Sequence, residues 1–150
     1  MENRIEVYTD GSRVSNADYL INYGWAYIIP ELNVCASGKV YDKDSNTCRM
    51  ELTAVVEAMR YIATHKGDYV LYCDNLPIVK CFEGRGSRKI YKDLWSQVYV
   101  LVDQARKIGS TLEVKFLNRK ELDQNSKMFK HAQTVDKLAF MQANSLCIVS

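Results

Sequence analysis

The sequence predicts an α/β protein, because strand patterns alternate with patterns of amphipathic helices. Ile5, Val7 and Thr9 alternate with polar neighbours, which is the period of two typical of a strand. Residues 69–73 are nearly all apolar, as in strands that are buried on both faces. Between these runs lies a predicted helix, whose apolar residues recur at the spacing of one buried face: Leu52, Val55, Val56, Met59, Ile62 and Ala63.

The first predicted strand ends at Asp10, because Gly11 and Ser12 interrupt the alternation. In open α/β sheets, ligands bind beyond the carboxyl ends of the strands. An aspartate before a glycine is equally typical of an ordinary turn. Asp10 is therefore a candidate ligand whose alternative role is to open a turn.

Glu51 opens the predicted helix and borders its apolar face. A glutamate in a first helical turn is often a cap or a favourable partner of the helix dipole. Thr47 is the predicted N-cap, and the residue three positions later is Met50, so a capping box does not account for Glu51.

Two further aspartates follow or lie within apolar segments. Asp74 ends the apolar strand, where a carboxylate is costly to bury unless it is paired or bound to a cation. Asp136 lies in a late predicted helix beside Ala132, Ala139 and Phe140, where an aspartate near the helix start is also common without any site.

Taken together, the four carboxylates predict a metal site. Carboxylates that converge without cations repel and raise one another's pKa, so such a cluster needs divalent ions. Oxygen ligands suit Mg²⁺ or Mn²⁺. Two ions about 3.5–4 Å apart would hold both the attacking and the leaving oxygen of a phosphoryl displacement.

The order of these motifs resembles that of ribonuclease H type 1 (ribonuclease HI). The resemblance runs from Ile5 to about Ala143 and rests on TDGS, GWA, RMELTAV, an aspartate after a tyrosine-rich strand, and DKLA. It implies a ribonuclease H-like fold, with a central mixed five-stranded sheet of three antiparallel and then parallel strands, flanked by helices.

The resemblance also implies an activity, which is hydrolysis of the RNA strand of RNA/DNA hybrids that leaves 3′-hydroxyl and 5′-phosphate ends. In that family, four carboxylates bind two Mg²⁺ ions. By motif, Asp10 would bridge both ions, Glu51 and Asp74 would complete one site, and Asp136 would hold the second ion.

The chain departs from the family pattern at its substrate contacts. Asn75 stands where the family usually has a serine, and Leu76 where a glutamine that reads the minor groove is common. A hybrid is recognised through 2′-hydroxyls and base edges across a shallow groove, and other side chains here would supply those contacts. The predicted nucleic-acid-binding residues are Gly11, Ser12, Asn46, Arg49 and Asn75.

The family often carries a mobile histidine in a GH-containing loop before the last aspartate. This chain has no GH sequence at that place. His131 is too close to Asp136 to align with it, and is either a surface residue at a helix start or a catalytic group. Lys127 is nearer the expected place and is a possible electrostatic helper. Trp25 and Trp95 are predicted to pack in the sheet and in the core.

Composition favours one domain over residues 1–150, since 150 residues with 47% hydrophobic content suffice for a packed core. Residues 1–79 hold 11 acidic and 7 basic side chains, whereas residues 80–150 hold 7 acidic and 13 basic side chains. The acidic half would suit metal ions and the basic half would suit phosphates.

Five cysteines without CxxC spacing favour reduced thiols and a cytoplasmic location. The absence of an apolar leader or of a run near about 18 apolar residues argues against secretion and membrane insertion.

The segment of residues 81–95 is too short for the basic protrusion that some family members carry, so we expect either a weaker grip on the substrate or dependence on a partner domain or protein. The protein is otherwise expected to be a monomer. Two alternative functions stay open. One is a nuclease of the same fold that acts on another nucleic acid, as resolvases and transposases do. The other is a noncatalytic nucleic-acid-binding module.

Overall fold

The computed structural model describes residues 4–15, 21–41, 45–86 and 90–145, and these build one mixed sheet. Its order is β3-β2-β1-β4-β5. Strand β1 pairs antiparallel with β2, which pairs antiparallel with β3, whereas β1–β4 and β4–β5 are parallel. The predicted five-stranded sheet is confirmed. Its strands are β1 (Ile5–Ser15), β2 (Ile21–Ile29), β3 (Val34–Tyr41), β4 (Asp68–Cys73) and β5 (Thr111–Phe116).

Four α-helices accompany the sheet within the described residues: α1 (Thr47–Ile62), α2 (Leu76–Phe82), α3 (Lys92–Lys107) and α4 (Lys127–Ala143). Helices α1 and α3 pack against one face and α4 against the other. The alternation of β1 produces both layers, since Val7 is buried on the α1 side and its neighbour Tyr8 on the α4 side. Trp95 is 4% exposed and lies in the α1 layer, as predicted.

Strand β1 is longer than the sequence predicts. The expected break at Gly11 and Ser12 is wrong, because β1 continues to Ser15. Residues 8–15 pair with β2, and this ladder keeps the glycine and serine extended despite their weak preference for strands. Pairing with β4 stops at Tyr8, so Asp10 lies beyond the last parallel pair although it is in the middle of its own strand.

Helix α1 also begins differently from the prediction. Its N-cap is Asn46 rather than Thr47, and the Asn46 side chain accepts a hydrogen bond from the Arg49 backbone N–H at 2.8 Å. Thr47 is the first helical residue. Glu51 therefore lies one turn inside the helix, where it is not needed as a cap.

Two glycines allow helices to lie directly on the central strands. A Cβ at Gly11 would lie 2.6 Å from the backbone nitrogen of Glu51, and a Cβ at Gly24 would lie 2.1 Å from the carbonyl oxygen of Ala139 in α4. The close approach at Gly11 brings Glu51 beside Asp10. Among the described helices, none is long and apolar enough to cross a membrane.

Candidate metal centre

Three carboxylates from separate elements meet beyond the parallel end of the sheet. Asp10 comes from β1, Glu51 from α1, and Asp74 from the position directly after β4. One oxygen atom from each lies within 4.8 Å of the others. Asp10 is only 5% exposed, so its charge has little access to water.

Asp136 completes the group from the opposite helical layer. It lies on α4, close enough to Asp10 for its charge to raise the pKa of that carboxyl group, and it lines one cavity together with Asp74. Its side chain is 48% exposed, and Oδ2 lies 3.6 Å from Nη1 of Arg119. The fold therefore brings together all four carboxylates that the sequence singles out.

Burial and the charges of neighbouring carboxylates disfavour ionisation of Asp10, Glu51 and Asp74. Burial, followed by the charges of Asp74 and Asp136, raises the pKa of Asp10 to about 9, although the Gly11 backbone N–H donates to its Oδ1 at 2.9 Å. Burial and the Asp74 charge raise the pKa of Glu51 to about 7. The pKa of Asp74 is also raised, chiefly by burial.

These carboxylates fit a hard divalent cation. Asp74 Oδ1 is buried and has no hydrogen-bond partner among the described residues, which is costly for a carboxylate oxygen. The clustered donors are all oxygens, as Mg²⁺ and Mn²⁺ prefer. A cation beside Asp10, Glu51 and Asp74 would offset both the desolvation and the repulsion.

Comparison with solved structures gives the fold a name. A foamy viral protease-reverse transcriptase in complex with dsDNA matches with a TM-score of 0.71 and 15% identity over 97% of each chain. LC11-RNase H1 in complex with an RNA/DNA hybrid matches with a TM-score of 0.66 and 14% identity, over 94% of this chain and 97% of that one. The chain has a ribonuclease H fold.

The ribonuclease H fold can be part of a longer protein. In native prototype foamy virus protease-reverse transcriptase, the match has a TM-score of 0.70 and 13% identity, and it covers 95% of this chain but 21% of that chain. This chain thus spans about a fifth of that enzyme's length. No family model and no curated protein matches the sequence.

Asn75 contacts the carboxylate cluster directly in this ribonuclease H fold. Its Oδ1 caps α2 by accepting from the backbone N–H of Ile78 at 3.1 Å. Its Nδ2 donates to Glu51 Oε2 at 2.6 Å and lies 3.3 Å from Cys48 Sγ. The side chain that replaces the expected serine is thereby fixed at one end by a helix cap and holds Glu51 with the other.

The other predicted nucleic-acid contacts lie around the entrance to α1. Asn46 caps that helix and also accepts a hydrogen bond from the Tyr91 hydroxyl at 2.9 Å. Arg49 makes a two-pronged ion pair with Asp93. Gly11 is buried against α1, whereas Ser12 is half-buried on β1. Contact of these residues with nucleic acid stays a prediction.

The two possible auxiliary residues lie at different depths in α4. Lys127 is the first residue of that helix and is exposed. His131 is half-buried, and its ring centroid lies 5.2 Å from that of Tyr8. Among the residues that the structure describes, the basic side chain that forms an ion pair with one of the four carboxylates is Arg119, which pairs with Asp136.

Sequence reasoning missed Arg119. It lies in a short 3-10 helix, Arg119–Glu121, just after β5. The available signal was its position after the end of a parallel strand, which is the rule that was applied to Asp10. Many charged residues surround it in the sequence, so that rule alone did not distinguish it.

Of two large cavities in the described structure, one adjoins the carboxylate site. One of about 600 Å³ is lined by Asp74, Asp136 and Arg119. Another, of about 720 Å³, lies between α3 and β5 and contains none of the four carboxylates. The chemistry of the lining residues, rather than size, identifies the first as the cavity adjoining the candidate metal centre.

Proposed function

We propose that the chain is a metal-dependent endoribonuclease that hydrolyses the RNA strand of RNA/DNA hybrids and leaves 3′-hydroxyl and 5′-phosphate ends. The observation that carries this proposal is the convergence of Asp10, Glu51 and Asp74, which each place one oxygen within 4.8 Å of the others, with Asp136 close enough for its charge to raise the pKa of Asp10. A similar fold has been solved with an RNA/DNA hybrid bound, which supports the choice of substrate.

In this proposal, each carboxylate has a distinct role. Asp10 lies beside Glu51 and Asp74 and close enough to Asp136 to be affected by its charge, so it would help to hold both of two Mg²⁺ ions, for which Mn²⁺ is a possible substitute. Glu51 and Asp74 would complete one site, and Asp136 the other. Bound divalent ions would supply an activated water and stabilise the leaving oxygen of an in-line displacement.

The protein's own contribution is to place and hold these ligands. Asn75 fixes the orientation of Glu51, and the Gly11 backbone N–H fixes Asp10. Burial keeps Asp10 in a poorly hydrated environment, where its interaction with cations is strong. The site is thus preorganised for metal ions before a substrate arrives.

The substrate side of the proposal includes Ser12, Asn46 and Arg49, which would contact the hybrid close to the entrance of α1. We further propose that residues 1–150 form one domain that works as a monomer, with a partner domain able to add substrate grip. The match to a fifth of a foamy virus enzyme is compatible with such a partner. A cytoplasmic location stays a prediction.

The experiment that tests the substrate uses end-labelled RNA/DNA hybrid, duplex RNA, single-stranded RNA and duplex DNA in Mg²⁺ and in Mn²⁺. We expect cleavage of the hybrid alone, with 5′-phosphate on the downstream fragment. Cleavage of a different substrate would replace the proposal with a nuclease of other specificity. Binding of the hybrid without cleavage in either metal would point to a noncatalytic module.

A further inference from the structure

The cavity of about 600 Å³ beside Asp74 and Asp136 has the size of a small-ligand site, for which about 300–1,000 Å³ is usual. It lies where the end of β5, the 3-10 helix Arg119–Glu121 and α4 come together. An occupant would therefore touch the candidate metal centre on its Asp136 side.

The walls of this cavity combine aromatic and amide side chains. Phe116 is 40% exposed, and Phe129 is half-buried at the start of α4. The side chains of Gln124 and Gln133 add hydrogen-bond donors and acceptors. Aromatic faces stack on nucleobases, whatever the base, and amides bond their edges, so these walls suit a nucleoside.

The charges in the cavity favour binding of an anion only when divalent ions neutralise its two carboxylates. Asp74 and Asp136 are opposed by Arg119 and Lys120, so the lining has little net charge by itself. Divalent ions on the two carboxylates would leave both basic side chains uncompensated. The cavity would then attract a phosphate group.

Arg119 is placed to make that contact. Its Nη1 lies 3.6 Å from Asp136 Oδ2, which is an ion pair without a hydrogen bond. A guanidinium has five N–H donors in a planar fork that matches phosphate oxygens. Donors therefore remain for an anion that lies between Arg119 and the metal centre.

We propose that this cavity is a nucleotide subsite, which binds the 5′-phosphate and first nucleoside of the RNA fragment downstream of the cut, with Arg119 as the phosphate contact. The inference rests on the proposed function, because that reaction leaves the 5′-phosphate next to the carboxylates. Divalent metal ions are required for the subsite to bind.

The test is titration of the protein with adenosine 5′-monophosphate, followed by calorimetry, in Mg²⁺ and separately in EDTA. Adenosine and inorganic phosphate are titrated in parallel. We expect binding of the nucleotide in Mg²⁺ to be about tenfold or more tighter than in EDTA, and tighter than that of either fragment, since each makes only part of the contacts.

Arg119→Gln is the decisive variant, and Lys107→Gln is its matched control. Lys107 is an exposed cation on α3 that pairs with Asp103, so the control removes the same charge away from the carboxylates. We expect Arg119→Gln to weaken nucleotide binding about tenfold and Arg119→Lys to restore part of it. Mg²⁺ binding should persist in Arg119→Gln, because Arg119 is not a ligand.

Equal nucleotide binding by Arg119→Gln and the native protein would overturn the subsite, as would binding that is as tight in EDTA. Phosphate that binds as tightly as the nucleotide would overturn the nucleoside contact. These outcomes do not depend on hybrid cleavage. If the native protein cleaves the hybrid but Arg119→Gln binds the nucleotide as tightly as the native protein does, only the subsite is refuted. If the nucleotide binds in a metal-dependent way but the hybrid is not cleaved, only the proposed function is refuted.

Discussion

At the scale of single residues, Asn75 links helix capping to the arrangement of the metal centre. One end of its amide caps α2 and the other donates to Glu51. Side chains that orient metal ligands in this way commonly alter metal affinity by about 10–100-fold when they are replaced. The structural and functional consequences of changing Asn75 can be separated, because serine also caps helices but is too short to do both.

We predict that Asn75→Ser weakens Mn²⁺ binding about tenfold, whereas the metal-free protein loses only about 1 kcal/mol of stability. Calorimetric titration and thermal unfolding measure the two effects. Asn46→Ser is the control, since it makes the same change at the cap of α1, where the side chain accepts from Arg49. Unchanged Mn²⁺ affinity in Asn75→Ser would show that Glu51 is oriented without this hydrogen bond.

The raised carboxyl pKa values of Asp10 and Glu51 predict how stability depends on pH without metal. In the folded protein these groups keep their protons to about pH 9 and about pH 7, respectively. The unfolded chain releases them near pH 4, so the folded state binds more protons between these limits. The contribution of these two groups to stability should therefore be greatest at and below about pH 4, and it should fall as the pH rises from there to about 9.

We expect the free energy of unfolding in EDTA to fall by several kcal/mol between pH 5 and pH 9. Asp10→Asn should flatten this dependence and stabilise the metal-free protein at pH 9, because it removes the most strongly perturbed carboxylate. Urea unfolding at several pH values measures both. A stability that rises with pH, or an identical slope in Asp10→Asn, would contradict this electrostatic description.

At the scale of elements, the contact between α4 and the sheet depends on Gly24. A Cβ there would lie 2.1 Å from the Ala139 carbonyl oxygen and 2.7 Å from the Ala143 nitrogen. Both are backbone atoms, so α4 would have to move as a unit. Since α4 carries Asp136, the same movement would displace one of the four carboxylates.

We predict that Gly24→Ala destabilises the protein by about 1–3 kcal/mol, a usual cost of overpacking. Gly38→Ala is the comparison, because its Cβ would meet the half-buried Trp25 side chain rather than backbone, and a side chain can rotate away. Thermal unfolding should show the larger loss for Gly24→Ala. Equal, small losses would mean that α4 does not need this close approach.

The elements also show how far the sequence predicts the fold. Periodic apolar residues marked β4 and α1 correctly, because burial imposes that spacing locally. The extension of β1 past Gly11 was not predictable, since it depends on pairing with β2, which is a tertiary contact. The choice of Asn46 over Thr47 as the cap was equally open, because both residue types cap helices well.

For the candidate site, the sequence was more informative about acids than about cations. Asp10 and Asp74 follow or interrupt apolar strands, where a carboxylate needs a reason to be buried. Arg119 gives no such signal, because charged residues are common in exposed loops. Its relation to Asp136 follows only from the way α4 packs against the end of β5.

At the scale of the whole molecule, the fold assembles one site from four distant parts of the chain. Asp10 comes from β1, Asp74 from the position directly after β4, and Glu51 and Asp136 from helices on opposite faces of the sheet. Unfolding would scatter them, so a divalent ion that binds here binds the folded state and should stabilise it. Arg119 and Lys120 from the more basic half of the chain line the cavity beside Asp74 and Asp136, where a polyanionic substrate would gain from their charge.

The proposed function requires that these carboxylates hold divalent ions that support cleavage of the RNA strand of a hybrid. The most direct measurement is the single-turnover cleavage rate of an RNA/DNA hybrid at increasing Mg²⁺, for the native chain, Asp10→Asn and Asp103→Asn. Asp103 is an exposed aspartate on α3, so its variant removes the same charge outside the site.

We predict Mg²⁺-dependent cleavage by the native chain and a near-equal rate for Asp103→Asn. Asp10→Asn should be slower by about a thousandfold or more, which corresponds to a loss of about 4 kcal/mol of transition-state stabilisation. A hybrid that stays intact at every Mg²⁺ concentration, or an Asp10→Asn rate equal to that of the native chain, would contradict the claim.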